Sequence, residues 1–198
     1  MSNIYVLAGT NGAGKSSIAG VTFREFGGSH FNPDEVARTL LTDNPRLTQA
    51  DANSLAWQIG VRLLTQAIEK RLDFAIETTL AGNTIPRLLI QAEAKAIRIH
   101  VWYVGLTSPE LHIERVQSRV RHGGHDISAN VIRRRFEHSR LNLITLLPHI
   151  TTLRLFDNSH SGDPLLGHTP KLQLVLHMEQ SKILAPEDLS KTPSWAKP

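Results

Sequence analysis

Residues Gly9 to Ser16 read Gly-Thr-Asn-Gly-Ala-Gly-Lys-Ser, a complete G-x-x-x-x-G-K-[ST] sequence. They directly follow Ile4-Tyr5-Val6-Leu7-Ala8, an apolar run with the composition of a buried strand. A loop of this kind joins a strand to a helix, so it commits the chain to an α/β architecture from its first residues. Its glycines let backbone N–H groups turn inward around a polyphosphate, and Lys15 reaches the β and γ phosphates. The Ser16 hydroxyl suits Mg²⁺, and a helix starting near Lys15 aims its positive dipole end at the anion. Gly9, Thr10, Asn11, Gly12, Ala13, Gly14, Lys15, Ser16 and Ser17 are the expected nucleotide-binding residues. Binding of a nucleoside triphosphate follows; the fate of the terminal phosphate does not.

The rest of the chain extends the same pattern. Lys15 to Phe26 reads as a helix ended by Gly27-Gly28, and Ser29 to Phe31 as a short strand. Asn32-Pro33-Asp34-Glu35 combines a capping side chain, a first-turn proline and two acids that favour the helix dipole. Thr48 and Asp51 form a capping-box pattern before an amphipathic helix to about Arg71, with Leu55, Ile59, Leu63, Leu64, Ala67 and Ile68 at helical spacing. Phe74-Ala75-Ile76 is a strand core ending in Glu77-Thr78-Thr79. Helices are expected over 85–96, 109–120 and 128–147, and strands over 97–104, 152–156 and 172–176. Strands alternating with helices imply βαβ crossovers and a mostly parallel sheet covered on both faces. Ligands on such sheets sit at the carboxyl ends of strands. The phosphate loop, Asp34, Glu77–Thr79 and Asp157-Asn158 should therefore share one rim.

The 198 residues suit one domain with a full core: a kinase-like unit over 1–180, a lid at about 119–135 and a loosely packed tail over 181–198. There is no cysteine, which removes disulfides and thiolate zinc sites and makes a reducing cytoplasm the natural compartment. No leader and no membrane-spanning run are expected. The formal net charge is +4, with Arg115, Arg119, Arg121, Arg133, Arg134, Arg135 and Arg140 crowded together. Such a cluster is either a nucleic-acid footprint or a lid that closes on triphosphate.

Each candidate group has a bland alternative. Asp34 is either a base for an attacking hydroxyl beside the γ phosphate or a helix-dipole acid; the rim position favours the base. Glu77 ends a buried strand and suits a metal-bound water or a substrate hydroxyl, with Thr79 evenly balanced between substrate contact and loop support. Gly123-Gly124-His125-Asp126-Ile127 forms a hairpin with arginines at both bases. Consecutive helical residues diverge by roughly 100°, so Arg133, Arg134 and Arg135 cannot all face inward; Arg121 and Arg134 are taken as the inward pair. His122 and His125 lack a carboxylate–histidine cluster and suit lid hydrogen bonds better than zinc. His100 is expected to be structural. Asp157-Asn158 either touches adenine or caps a turn.

There is no Asn-Lys-x-Asp guanine-reading segment, no Leu-Ser-Gly-Gly-Gln-like segment, and only a single acid after Ile76. These absences disfavour GTPase switches, ABC ATPases and motor ATPases. The matched segments are Gly9–Ser16, Phe31–Glu35, Glu77–Leu80, Gly123–Ile127 with Ile132–Phe136, and Asp157–Ser159, in that order. Together they resemble the zeta toxin-like family of P-loop kinases in its short single-domain branch, over about residues 3–160. The resemblance implies transfer of phosphate from ATP, with Mg²⁺, to a hydroxyl of UDP-N-acetylglucosamine, and a small antitoxin partner that blocks the ATP site. It implies Lys15 and Ser16 on phosphate and Mg²⁺, Asp34 as general base, and Glu77 and Thr79 facing the sugar. Asn158 joins the nucleotide site, and Arg121 and Arg134 stabilise the phosphoryl group. Where family members place an arginine after Glu-x-Thr, this chain has Ala81, with Arg87 the nearest substitute. The alternative is a nucleic-acid-associated P-loop ATPase or polynucleotide kinase.

Overall fold

The computed structural model describes residues 1–16, 30–160 and 172–197. The expected helix after the phosphate loop lies, beyond Ser16, outside those residues, as do Ser17 and Ser29. Six strands form one sheet in the order β2-β1-β3-β4-β5-β6. They are β1 (Asn3–Ala8), β2 (Phe74–Thr78), β3 (Arg98–Gly105), β4 (Thr152–Asp157), β5 (Gln173–Glu179) and β6 (Lys182–Ala185). The first four pair in parallel, and β5 and β6 add an antiparallel edge. Among the described residues five α-helices accompany them: α1 (Pro33–Asp43), α2 (Gln49–Lys70), α3 (Thr84–Ala94), α4 (Pro109–Arg121) and α5 (Ala129–Leu146).

Strand side chains alternate between faces, and the core divides accordingly. Ile4, Val6 and Ala8 of β1 lie with Ile99, Val101 and Tyr103 of β3 against Leu64 and Ile68 of α2, Leu89 of α3, and Leu143 and Leu146 of α5. On the opposite face Leu7, Trp102 and Val104 pack with Ala13 of the phosphate loop.

The helix starts follow the residues that announced them. Asn32 accepts from the Asp34 and Glu35 amides (2.9 and 3.4 Å). The Thr48–Asp51 capping box is closed in both directions. Along α2, however, the buried stripe begins with Ala52, Ala56 and Gly60, not Leu55, which is exposed. Small residues bring the first half of α2 close to α1 and to the Phe31 ring, which lies 2.6 Å from where a Cβ on Gly60 would stand. The expected second strand reduces to one parallel bridge, Phe31 to Ile76, with Phe31 N–H donating to Ala75 O and Glu77 N–H to Phe31 O.

Two further expectations need correction. The last strand is longer than 172–176 and antiparallel. The segment after residue 180 is no loose tail: β6 pairs with β5, and the buried Trp195 stacks on Tyr103 at 6.5 Å. A Cβ on Gly105 would collide with the Trp195 ring, so the glycine makes room for this anchor.

Candidate active site

The parallel register brings Ala8 level with Thr78 and Tyr103, and Gly105 level with Asp157. The carboxyl ends of β1, β2, β3 and β4 therefore meet at one rim, as expected. Phe31's bridge to β2 brings Asn32 and the start of α1 to the same rim.

The phosphate loop leaves β1 through Gly9, Gly12 and Gly14, with φ of +141°, +83° and +88°. These left-handed values are open to glycine at little cost. Packing reinforces the requirement at Gly12, where a Cβ would stand 2.7 Å from His112 O on α4. Three side chains hold the loop from outside. Asn158 is buried and donates from Nδ2 to Ala13 O (2.8 Å), and its own carbonyl accepts from Arg115 (2.6 Å). His112 is buried with Nδ1 2.8 Å from Asn11 O; burial lowers its pKa from 6.5 to about 4. The neutral ring then donates its Nδ1 proton to that carbonyl. Arg135 donates from Nη1 to Asn11 Oδ1 (2.7 Å). Asn158 was expected either to touch adenine or to cap a turn; its side chain here holds the phosphate loop through Ala13 O.

Inside the rim Lys15 is buried. Its Nζ donates to Gly9 O (2.8 Å) and lies 3.7 Å from Glu77 Oε1. Asn32 Nδ2 donates to the other Glu77 oxygen (3.2 Å). Burial lowers the Lys15 pKa and raises that of Glu77, and their mutual attraction opposes both shifts. Asp34 opens α1 beside them, and its charge acts on Lys15, Glu77 and Arg135.

Beyond Lys15 a cavity of about 420 Å³ opens, which Lys15, Asp34, Glu77, Thr79, Arg135 and Trp57 help to line. Only Asn11 and Lys15 of the phosphate loop border it. His125 to Ser128 close the wall from the hairpin between α4 and α5.

The arginine placement differs from expectation. Arg121 and Arg134 are exposed and do not border the cavity; Arg135 does. Ile132, Phe136, Ser139, Leu143 and Leu146 mark the buried line of α5. At 3.6 residues per turn Arg135 sits about 60° from that line and Arg134 about 160°. The apolar spacing in the sequence already contained that signal. Arg133 pairs with Glu110 at 3.3 Å on the surface. Arg87 is also exposed and away from the cavity. Trp57 and Asn53 border the cavity without having been singled out, because nothing local separates a site tryptophan from any other exposed one. His122 bonds the Ser118 carbonyl, and His100 lies 3.3 Å from Asn3 Oδ1.

The residues present fit a triphosphate and Mg²⁺. Ser16 is exposed next to Lys15, and Lys15 borders the cavity together with the carboxylates Asp34 and Glu77. Among the described residues no group of three His, Asp or Glu could hold a metal on its own. No helix among the described residues is long and apolar enough to cross a membrane.

A phosphate loop at the carboxyl end of a parallel sheet, with two following helices that reach it through His112 and Arg135, defines the P-loop kinase fold. The sequence model of the Zeta toxin family matches residues 2–159, and the chain belongs to that family. An uncharacterized protein of Haemophilus influenzae is 32% identical over 132 residues, 65% of this chain and 88% of that protein. A chain of the AvrRxo1-ORF1:-ORF2 crystal structure with ATP superposes with a TM-score of 0.68 at 15% identity, covering 92% of this chain and 60% of that one. The PezAT toxin–antitoxin system of Streptococcus pneumoniae gives 0.57 at 18% identity, covering 79% and 67%. This chain thus spans between 60% and 65% of the length of the AvrRxo1 chains it matches.

Proposed function

We propose that this protein transfers the γ-phosphoryl group of ATP to a hydroxyl of a small molecule. The observation that carries the proposal is one cavity bordered together by Lys15, Asp34 and Glu77 and by Asn11 of the phosphate loop. The loop amides cradle the donor phosphates, and Lys15 leaves Glu77 for the β and γ oxygens. Asp34 takes the proton of the acceptor hydroxyl as its oxygen bonds to the γ phosphorus. The bond from that phosphorus to the β–γ bridging oxygen breaks, and ADP departs. Ser16 Oγ would hold a Mg²⁺ ion, which would supply charge neutralisation across the phosphates. Arg135 is the cation on the cavity best set to meet the transferring group, and Glu77 and Thr79 face the acceptor.

The family's acceptor, a UDP-N-acetyl sugar, is one candidate. Glu77 and Thr79 support it; Ala81 and the outward Arg87 count against it. An antitoxin partner is proposed by analogy with the toxin–antitoxin system named above. A polynucleotide acceptor has less support, since Asp34, Glu77 and Asp126 border the cavity.

An ADP-release screen over UDP-sugars, nucleosides and short oligonucleotides, run with wild type and Asp34→Asn, tests the proposal. The variant is expected to keep ATP affinity and lose most transfer. Near-normal turnover would remove Asp34 as the base.

A further inference from the structure

We infer that Asn142, on α5, is a positioning residue for the acceptor: it holds the loop between β2 and α3 so that Thr79 stands on the cavity. The inference rests on the phosphotransferase reading and adds to it a residue outside the cavity wall.

The loop makes one side of the site. Thr78, Thr79 and Gly82 border the cavity, and Thr84 and Ile85 at the start of α3 continue the wall. Between Thr79 and Gly82 the chain turns through Leu80, whose φ of +57° lies in the left-handed region. A leucine is rare there because its Cβ crowds the following carbonyl, and such a backbone persists only where its surroundings hold it. Three contacts do so. The Leu80 side chain is 1% exposed and belongs to the main core cluster. Its N–H donates to Thr78 Oγ1 (3.0 Å). Its carbonyl accepts from Asn142 Nδ2 (2.7 Å), and the same amide group donates to Gly82 O (3.2 Å). The first two contacts fix the turn where it leaves β2. Asn142 fixes it on the approach to α3, whose own cap residue, Asn83, makes no side-chain capping bond.

Asn142 is itself well placed to act as a fixed point. Arg135, Ser139 and Asn142 lie within about 60° of one another around α5. Arg135 donates to Asn11 of the phosphate loop, and Ser139 Oγ shares a hydrogen bond of 2.9 Å with the Tyr103 hydroxyl of β3. Asn142 completes the row by taking the loop that carries Thr79. One helix is thus tied to the donor loop, to the sheet and to the acceptor loop. Ser139 and Tyr103 are both buried, so the middle of α5 is seated in the core. Removing the Asn142 amide therefore frees the loop and leaves the helix, with Arg135, in place.

Two variants test this. Asn142→Leu keeps the approximate size of the side chain and removes the donor; Asn142→Ala removes the donor without adding apolar atoms. Each is measured as the full chain, first by amide hydrogen exchange read by NMR in saturating ADP and Mg²⁺. The amides of Thr79 to Gly82 are expected to exchange about tenfold faster or more, as local opening does, with those of Asn11 to Ala13 changed by less than about threefold. The ADP-release assay follows, with the acceptor that the wild type uses best. The acceptor KM is expected to rise about fivefold or more, the scale of one neutral hydrogen bond, with kcat and the ATP KM changed by less than about threefold. Unchanged exchange in the loop would overturn the inference. So would faster exchange spread equally over both loops and the core, which marks a loss of stability alone. A raised ATP KM with an unchanged acceptor KM would also overturn it, since Asn142 would then serve the donor side through α5. Local opening of the loop in a protein that transfers phosphate to none of the acceptors tried would count against phosphotransfer and leave the placement of the loop standing. Transfer by the wild type with the acceptor KM unchanged in both variants would do the reverse.

Discussion

Replacing Arg135 by alanine separates two roles that its position allows. The guanidinium donates to Asn11 Oδ1 at 2.7 Å and borders the cavity beside Asp34. If its work is to hold the phosphate loop, the loss is one hydrogen bond to a charged donor, about 1.5–3 kcal/mol. At 1.36 kcal/mol per tenfold, that corresponds to about 10- to 150-fold, felt mainly as weaker ATP binding. If the guanidinium meets the transferring phosphoryl group, the loss is about 10³–10⁵ in turnover, because an arginine in that role stabilises charge present only in the transition state. We expect the larger effect, on kcat, with ATP affinity lowered by no more than the hydrogen-bond figure. Single-turnover ADP formation gives the first quantity and titration calorimetry with ATP the second. Arg134→Ala is the internal control. Its side chain is exposed and does not border the cavity, so a change of less than about threefold is expected on the ordinary scale of surface substitutions. A greater loss in Arg134→Ala than in Arg135→Ala would refute the assignment outright. It would mean that α5 stands about 100° further round, the angle between consecutive helical residues, so that Arg134 takes the place of Arg135.

Other outcomes can be checked on the apo protein. His112 has a folded-state pKa lowered from 6.5 to about 4, so between those values the unfolded chain binds the proton and the folded chain does not. Stability from this residue is therefore complete above about pH 6.5 and is lost as pH falls towards 4. About 3 kcal/mol is at stake at 1.36 kcal/mol per pKa unit. Denaturant unfolding of wild type and His112→Gln from pH 7 to 4 should converge by roughly that amount; parallel curves would remove His112 as the cause. At the other end of the chain, Gly105→Ala sets a methyl against the Trp195 ring and should cost about 1–3 kcal/mol, while Trp195→Ala should cost about 3–5. Melting temperatures unchanged in both would restore the picture of a loose tail.

Local chemistry carried most of the framework. The phosphate loop was legible because its glycines serve backbone conformations, which Gly9, Gly12 and Gly14 adopt. The starts of α1 and α2 were legible because capping is settled within four residues by Asn32 and by Thr48 with Asp51. The shared rim followed from strand alternation, since parallel neighbours must present like ends together. What escaped was set by contacts between distant segments. Trp195 joins the core only because β5 and β6 turn antiparallel and return the chain to Tyr103.

The sequence by itself determined a parallel sheet, a triphosphate loop at its rim, and Lys15, Asp34 and Glu77 as the companions gathered there, because each depends on period, capping or backbone freedom read over a few residues. Only the tertiary structure decided which arginine borders the cavity, and that Trp57 and Asn53 border it too. Those choices depend on how α2 and α5 are rotated against the sheet. That rotation is set by the summed packing of Ala52, Ala56, Gly60, Ile132 and Phe136 against partners far away in the chain.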